Sequence, residues 1–319
     1  MHALSSPSFP FRRRALAAGA LATAALLATG CSSNGSSSSS VPGGGGAKAA
    51  VKSDSDTVAN LIADEQPATG IKPGSTAAKI KASGTLRVGG TQTAALFSLL
   101  DPTTGKTEGF DAAMSQLLAK YIIGKPSTHL TNVTSQTREA LLKAHQVDAV
   151  FATYTITPER AKQVAFAGPY YEDGLAIEVR KGTTGISSFA DLNGKTVVTE
   201  SGSTVPTAVK AAAPKTRIQL FDTNTECLQA LSQHRADAYV LDQGILAGNA
   251  VTNKDVQVLP GTFTKEPYGI GVPLDQPDFK AFVDAWLTKV EADGTWAKVW
   301  KATVGTEVPG PVPTPPAVD

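Results

Sequence analysis

From about residue 83 to residue 305 the apolar positions follow two rhythms in turn. Phe110, Met114, Leu117, Leu118 and Tyr121 recur at the three- and four-residue steps of a helix with one buried face, as do Phe279, Phe282, Val283, Trp286, Leu287 and Val290. Short β-rich runs lie among them: Leu86-Arg87-Val88 after Ser83-Gly84-Thr85, then Thr196-Val197-Val198 and Ala238-Tyr239-Val240-Leu241. Alternation of this kind predicts an α/β chain, with sheets covered by helices.

The pattern also repeats internally. Leu142-x-x-His145-x-x-Asp148-Ala149 returns as Leu231-x-x-His234-x-x-Asp237-Ala238, each copy reading as a helix end, a turn and a strand start. Gly84-Thr85-Leu86-Arg87-Val88 likewise pairs with Gly194-Lys195-Thr196-Val197-Val198 as an opening strand. Two related α/β lobes are expected. Carrying the first repeat forward sets Thr153 opposite Asp242, both at carboxyl ends of strands, where open α/β sheets bind ligands. His145 and His234 read as exposed turn residues.

Outside this region the chain changes character. Arg12, Arg13 and Arg14 precede an apolar run from Ala15 to Leu27, too short to span a bilayer comfortably, so residues 1–31 read as a signal peptide. Its end, Ala28-Thr29-Gly30-Cys31, resembles a bacterial lipobox with Cys31 as the acylated lipid anchor, although Ala28 stands where Leu is usual. Residues 32–82 read as a flexible tether, Ser- and Gly-rich to Gly46, followed by a polar N-terminal extension with some helical pattern at Thr76 to Ala82 and no evident role. Residues 306–319 form a Pro-rich tail expected to be extended or disordered. A formal net charge of +1 gives no bias toward nucleic acid or acidic membrane, so partners must be argued from sites. Past Cys31 the remaining cysteine is Cys227, in a helical pattern, which reads as buried filler and leaves no disulfide expected in the mature protein.

Candidate chemistry sits at strand-to-helix junctions. In Thr153-Tyr154-Thr155-Ile156-Thr157-Pro158-Glu159-Arg160, Thr157 suits an N-cap and Pro158 the first helical position, and free N–H groups there favour an anion. Arg160 lies on the unfavourable side of that dipole, which makes sense if it and the amides converge on a carboxylate; pairing with Glu159 at the surface is the alternative. Glu200-Ser201-Gly202-Ser203-Thr204-Val205-Pro206 repeats the logic, with the Ser203 or Thr204 hydroxyl available to the same carboxylate, or is an ordinary βα turn. The ending of a phosphate loop is missing. Asp242 could cap a helix or, across a cleft from Arg160, meet an α-ammonium.

Together Gly109-Phe110-Asp111, Ser135-Gln136-Thr137-Arg138, Thr155 to Arg160, Pro169-Tyr170-Tyr171, Ser201-Gly202-Ser203-Thr204 and Glu266-Pro267-Tyr268-Gly269-Ile270 resemble, in order, the landmarks of family 3 bacterial solute-binding proteins, which serve amino-acid ABC importers. The chain looks most similar to the actinobacterial glutamine/glutamate-binding lipoproteins. The resemblance implies a type II periplasmic-binding-protein fold: two α/β lobes joined by a two-segment hinge. Lobe 1 would comprise residues 84–173 plus 269–305 and lobe 2 residues 174–268, with crossings near Glu172 to Ile177 and Thr264 to Tyr268. It further implies that Arg160 binds an amino acid's α-carboxylate with help from Thr155 and Thr204, and that Thr153 and Asp242 hold its ammonium. Arg138 matches the Arg that approaches the side-chain carboxylate in acidic-amino-acid binders, favouring glutamate or aspartate, unless it is a solvated helix residue. Thr91 to Ala95 lacks the charged or aromatic residue of many relatives, and Leu241 stands where some have His, so asparagine or glutamine stays open.

The expected protein is a monomer anchored outside the cytoplasm. It would close on its ligand and deliver it to an ABC permease, with no metal, cofactor or nucleic acid. Two other readings share the fold: a sensor that signals to a membrane partner, and a periplasmic dehydratase, for which Glu200 is the nearby acid or base.

Overall fold

The computed structural model describes residues 53–308 and 310–318. The signal peptide, the lipobox with Cys31 and the Ser/Gly tether lie outside the described residues.

Ahead of the first strand the N-terminal extension forms two helices, α1 (Ser55–Asp64) and α2 (Thr76–Ser83). Their caps are written in the sequence: the Asp54 side chain accepts from the Thr57 N–H, and the Ser75 hydroxyl accepts from the Ala78 N–H.

The remaining elements, in chain order, are β1 (Leu86–Gly90), β2 (Thr93–Ala94), β3 (Ser98–Leu100), β4 (Thr107–Glu108), α3 (Phe110–Ile123), β5 (Thr128–Asn132), α4 (Arg138–Lys143), β6 (Ala149–Phe151) and β7 (Ala165–Asp173). Then come β8 (Leu175–Arg180), β9 (Thr196–Glu200), α5 (Val205–Ala212), β10 (Arg217–Phe221), α6 (Asn224–Ser232), β11 (Ala238–Asp242), α7 (Gln243–Thr252), β12 (Val256–Val258), β13 (Glu266–Val272), α8 (Pro277–Ala292) and α9 (Thr295–Ala302). They build two five-stranded sheets, β5-β1-β6-β13-β7 and β10-β9-β11-β8-β12, and a small sheet β2-β3-β4.

In each large sheet three parallel strands are joined to antiparallel ones. Gly174 alone separates β7 in the first sheet from β8 in the second, and the chain returns through the segment between β12 and β13. This is the type II periplasmic-binding-protein arrangement, two α/β lobes with two crossings.

The helical patterns bury the faces the sequence marked. Phe110, Met114, Leu117 and Leu118 of α3 and Phe279, Val283, Trp286, Leu287 and Val290 of α8 are buried. Each such side chain contributes roughly 1.5–3 kcal/mol of hydrophobic stabilisation. Cys227 is free and buried, as expected of a filler.

The internal repeat has a physical basis. Asp148 donates its N–H to the Arg87 carbonyl at 2.7 Å and accepts the Arg87 N–H on its carboxylate at 2.9 Å. Asp237 does the same with Thr196, at 2.8 and 2.7 Å. In both copies the preceding turn needs a left-handed residue, His145 at φ 52° and His234 at φ 59°. The opening strands, however, are one residue out of the expected step: Val88 pairs with Ala149 and Val197 with Ala238, so Val88 corresponds to Val197 rather than to Val198.

A second difference follows Thr157. The segment is a single 3-10 turn at Arg160–Lys162 rather than a full helix, although the Thr157 hydroxyl accepts the Arg160 N–H at 3.2 Å as a cap would. The chain leaves the turn at once for β7, so no helix dipole accumulates there. No helix among the described residues is long and apolar enough to cross a membrane.

Candidate functional site

The polar residues singled out in the sequence meet where the carboxyl ends of β6, β9 and β11 face each other across the two lobes. Tyr154, three residues past β6, is the centre of the lobe 1 side. The Arg138 guanidinium carbon lies 3.8 Å and that of Arg160 lies 5.3 Å from its ring centroid, while its hydroxyl donates to Glu139 at 3.0 Å. One aromatic ring thus carries two cations.

Both arginines are buried, which removes the surface alternatives for each. Arg160 donates from Nη1 to the Thr155 carbonyl at 2.7 Å and from Nη2 to the Gly202 carbonyl, in the other lobe, at 2.9 Å. Arg138 donates from Nη1 to the Ala152 carbonyl at 2.8 Å, and its Nε has no hydrogen-bond partner among the described residues. Burial, then the nearby Arg160, lowers the Arg138 pKa to about 10, against the pull of Tyr154, Glu200 and Asp242.

Thr153 has φ 44°, an unfavourable backbone for a β-branched residue. It is held by Asp111, whose carboxylate accepts the Thr153 N–H at 2.9 Å and the Tyr170 hydroxyl at 2.6 Å. Burial raises Asp111 to about 6. The kink turns the chain end of β6 so that Thr153 and Thr155, both buried, flank Tyr154.

From lobe 2, Asp242 ends β11 at the N-cap position of α7 without making a capping hydrogen bond, so capping does not explain it. It is buried, and its Oδ1 has no hydrogen-bond donor among the described residues. Burial, with Asp173 and Glu266 close by, holds its pKa well above the usual carboxylate range. Ser203 donates its hydroxyl to the Glu200 carbonyl at 2.7 Å, and Thr204 donates to Glu266 at 3.0 Å. Ser203 is therefore occupied with its own strand end, while Thr204 reaches across to β13.

The loop carrying these residues bridges the lobes. Ser135 donates to Glu200 at 3.2 Å, and the Ser201 hydroxyl meets the Gln136 side chain. Gly202, at φ 77°, lies so near lobe 1 that a Cβ would stand 2.9 Å from the Ser135 carbonyl oxygen. At the hinge, Asp173 accepts the N–H groups of Gly174 and Gly244 and the Tyr268 hydroxyl, at 2.8, 2.9 and 3.1 Å. Burial raises it to about 6. The described residues contain no cluster of three or more side chains suited to a metal ion.

The model of the bacterial extracellular solute-binding proteins, family 3, matches residues 86–305. The chain belongs to this family.

Among relatives of this solute-binding protein, the ABC transporter glutamine-binding protein of Bacillus subtilis is 36% identical over 208 residues, covering 65% of this chain and 76% of that protein. The glutamine-binding protein of Geobacillus stearothermophilus is 40% identical over 195 residues, covering 60% and 74%. The glutamate-binding protein of Corynebacterium glutamicum is 32% identical over 216 residues, covering 62% and 73%. Among solved structures, the solute receptor for L-cysteine of Neisseria gonorrhoeae superposes with a TM-score of 0.69 at 28% identity, covering 73% of this chain and 95% of that one. An ancestral arginine-binding protein bound to glutamine does so with a TM-score of 0.65 at 34% identity, covering 70% and 98%.

The family match ends short of the N-terminal extension. Sequence reasoning reached Arg138, Arg160, Thr153, Thr155, Ser203, Thr204 and Asp242, and all lie at this junction. It did not assign roles to Tyr154, which carries both arginines, or to Asp173, Glu266 and Tyr268, whose segments it marked as hinges. Asp173 meets Tyr268 across 95 residues and Thr204 meets Glu266 across 62, for which a single sequence holds no local signal, and Tyr154 lies off any helical or strand spacing from the two arginines it carries.

Proposed function

We propose that this chain binds an acidic or amide amino acid, glutamate, aspartate, glutamine or asparagine, outside the cytoplasm and delivers it to an ABC importer. Arg160 binds the α-carboxylate, with Thr155 and Thr204 beside it. Asp242, with Thr153, holds the ammonium, and Arg138 faces the side chain. Ser203 steadies the loop.

One observation carries this reading. The lobes bring two buried guanidinium groups from one side against a buried carboxylate from the other, and Arg138 Nε and Asp242 Oδ1 both lack partners among the described residues. Unpaired buried polar atoms of opposite character are costly, and a zwitterion between them satisfies both. The glutamine- and glutamate-binding relatives support the ligand class.

Ligand is captured by hinge closure about the two crossings, near Glu172 to Ile177 and Thr264 to Tyr268, with lobe 1 spanning 84–173 plus 269–305 and lobe 2 spanning 174–268. The protein is a monomer tethered to the membrane through acylated Cys31, which mass spectrometry of the mature N-terminus would test. Titration with the twenty amino acids by calorimetry tests the site. Heat from glutamine or glutamate is expected, and none from any amino acid would sink the reading. Uptake of labelled ligand in a deletion strain separates delivery from sensing. The chain is not an enzyme, and turnover of a cyclic dehydratase substrate such as prephenate would overturn that.

A further inference from the structure

Three carboxylates act on Arg138: Asp111, Glu200 and Asp242. Asp111 has its oxygens taken within lobe 1 by the Thr153 N–H and the Tyr170 hydroxyl. Asp242 sits at the hinge end, against Asp173 and Glu266. Glu200 is different. It ends β9 in the opposite lobe, and the one hydrogen bond its carboxylate makes among the described residues is from Ser135, three residues before Arg138 on the same turn. Among the described residues no ion pair joins Glu200 to Arg138, and the buried Arg138 Nε has no hydrogen-bond partner, so the guanidinium keeps a donor for a ligand's polar group while feeling the Glu200 charge.

We infer that Glu200 sets the selectivity of the distal end of the cleft, pairing with Arg138 to read a neutral carboxamide in preference to a second carboxylate. The inference rests on the amino-acid site proposed above. A carboxamide has an oxygen that accepts from Arg138 and an NH2 group that donates to Glu200. A side-chain carboxylate in the same place satisfies Arg138 but meets Glu200 with like charge and no proton to donate, which is selection by repulsion. Arg138 read alone favours glutamate; read with Glu200 it favours glutamine.

Calorimetry of glutamine and glutamate binding to the wild-type protein, Glu200→Gln and Glu200→Asp at pH 8.5, where Glu200, raised to about 7 by burial, is ionised, tests it. The wild type should bind glutamine at least tenfold more tightly than glutamate. Glu200→Gln should cut that ratio about tenfold, chiefly by tightening glutamate, while Glu200→Asp, which keeps the charge, should preserve it. If Glu200→Gln melts early, Ser135→Ala, which removes the hydrogen bond that favours the ionised Glu200 carboxylate, should lower the ratio at pH 7 by leaving more of that carboxyl protonated. Binding of both ligands with a ratio that Glu200→Gln leaves within twofold, or a wild type that prefers glutamate, overturns the role of Glu200 and leaves the site standing. A wild type that binds no amino acid overturns the site and this inference with it.

Discussion

Arg160 uses two of its five donors on carbonyls, those of Thr155 and Gly202, and has three left for a ligand. The bond to Gly202 crosses the lobes, so the residue proposed to bind the α-carboxylate also registers closure. Replacing it by Ala leaves a buried carboxylate without its cation, a loss of about 3 kcal/mol or more. Arg160→Ala should therefore raise the Kd for glutamine at least a hundredfold in calorimetry, and near-wild-type affinity would refute the assignment. Gly202 tests the same closure from the other side. Its φ of 77° suits glycine, and an added Cβ would press on the Ser135 carbonyl oxygen at 2.9 Å. Gly202→Ala should weaken binding about tenfold and leave the radius of gyration in the presence of ligand close to that of the free protein, as small-angle scattering would show.

At the scale of elements, the N-terminal extension is the part that least resembles its expected character. Residues 53–82 carry two helices that pack on the back of lobe 1, α1 on α3 and α9 and α2 on α3 and α8. Ile62, Ala77 and Ile80 join the core, Lys289 of α8 lies 3.1 Å from the buried Glu65, and Thr76 donates its N–H to Asp278 at 2.7 Å. Lobe 1 is closed by strands and helices from both ends of the chain, and the extension ties those ends together. A chain beginning at residue 83 should melt several degrees lower while binding glutamine within threefold of the full chain, because the extension packs on α3, α8 and α9 and the proposed ligand contacts come from other elements. Much of the fold was legible in the sequence because its signals are local: the heptad-like faces of α3 and α8, and the repeat in which Asp148 and Asp237 clamp the start of a neighbouring strand. The signal failed where local preference yields to tertiary demand. Val58, Leu61 and Ile62 have the spacing of a helix face within 55–64, a signal too short to stand out from its polar surroundings, and the turn at Arg160 is cut to three residues by the demands of β7.

For the molecule as a whole, closure gathers acids. Asp111 and Asp173 rise to about 6, Glu200 to about 7 and the wholly buried Glu178 of β8 to about 8, each chiefly by burial. All four exceed the values of the unfolded chain, near 4, so between about pH 4 and pH 8 the folded protein binds more protons than the unfolded one. Stability from these groups is present at acid pH and is lost as pH rises through that window. The carboxylates of half-buried Asp191 and exposed Asp278, held low by hydrogen bonds, act in the opposite sense, and only below about pH 4. Ligand-free protein should therefore melt at a higher temperature at pH 5 than at pH 8 in differential scanning calorimetry. Binding reverses the proton balance at one position. Asp242 is protonated more readily than an ordinary carboxylate while it faces Asp173 and Glu266, and an ammonium placed on it favours the ionised form. Glutamine binding near pH 6 should release protons, measurable from the dependence of the binding heat on the buffer's ionisation enthalpy, and affinity should fall as pH is lowered. Asp242→Asn, which cannot ionise, should bind weakly and with that proton release abolished. Release that persists in Asp242→Asn would assign the proton to Asp173 or Glu200 instead, and with it the seat of the ammonium would move.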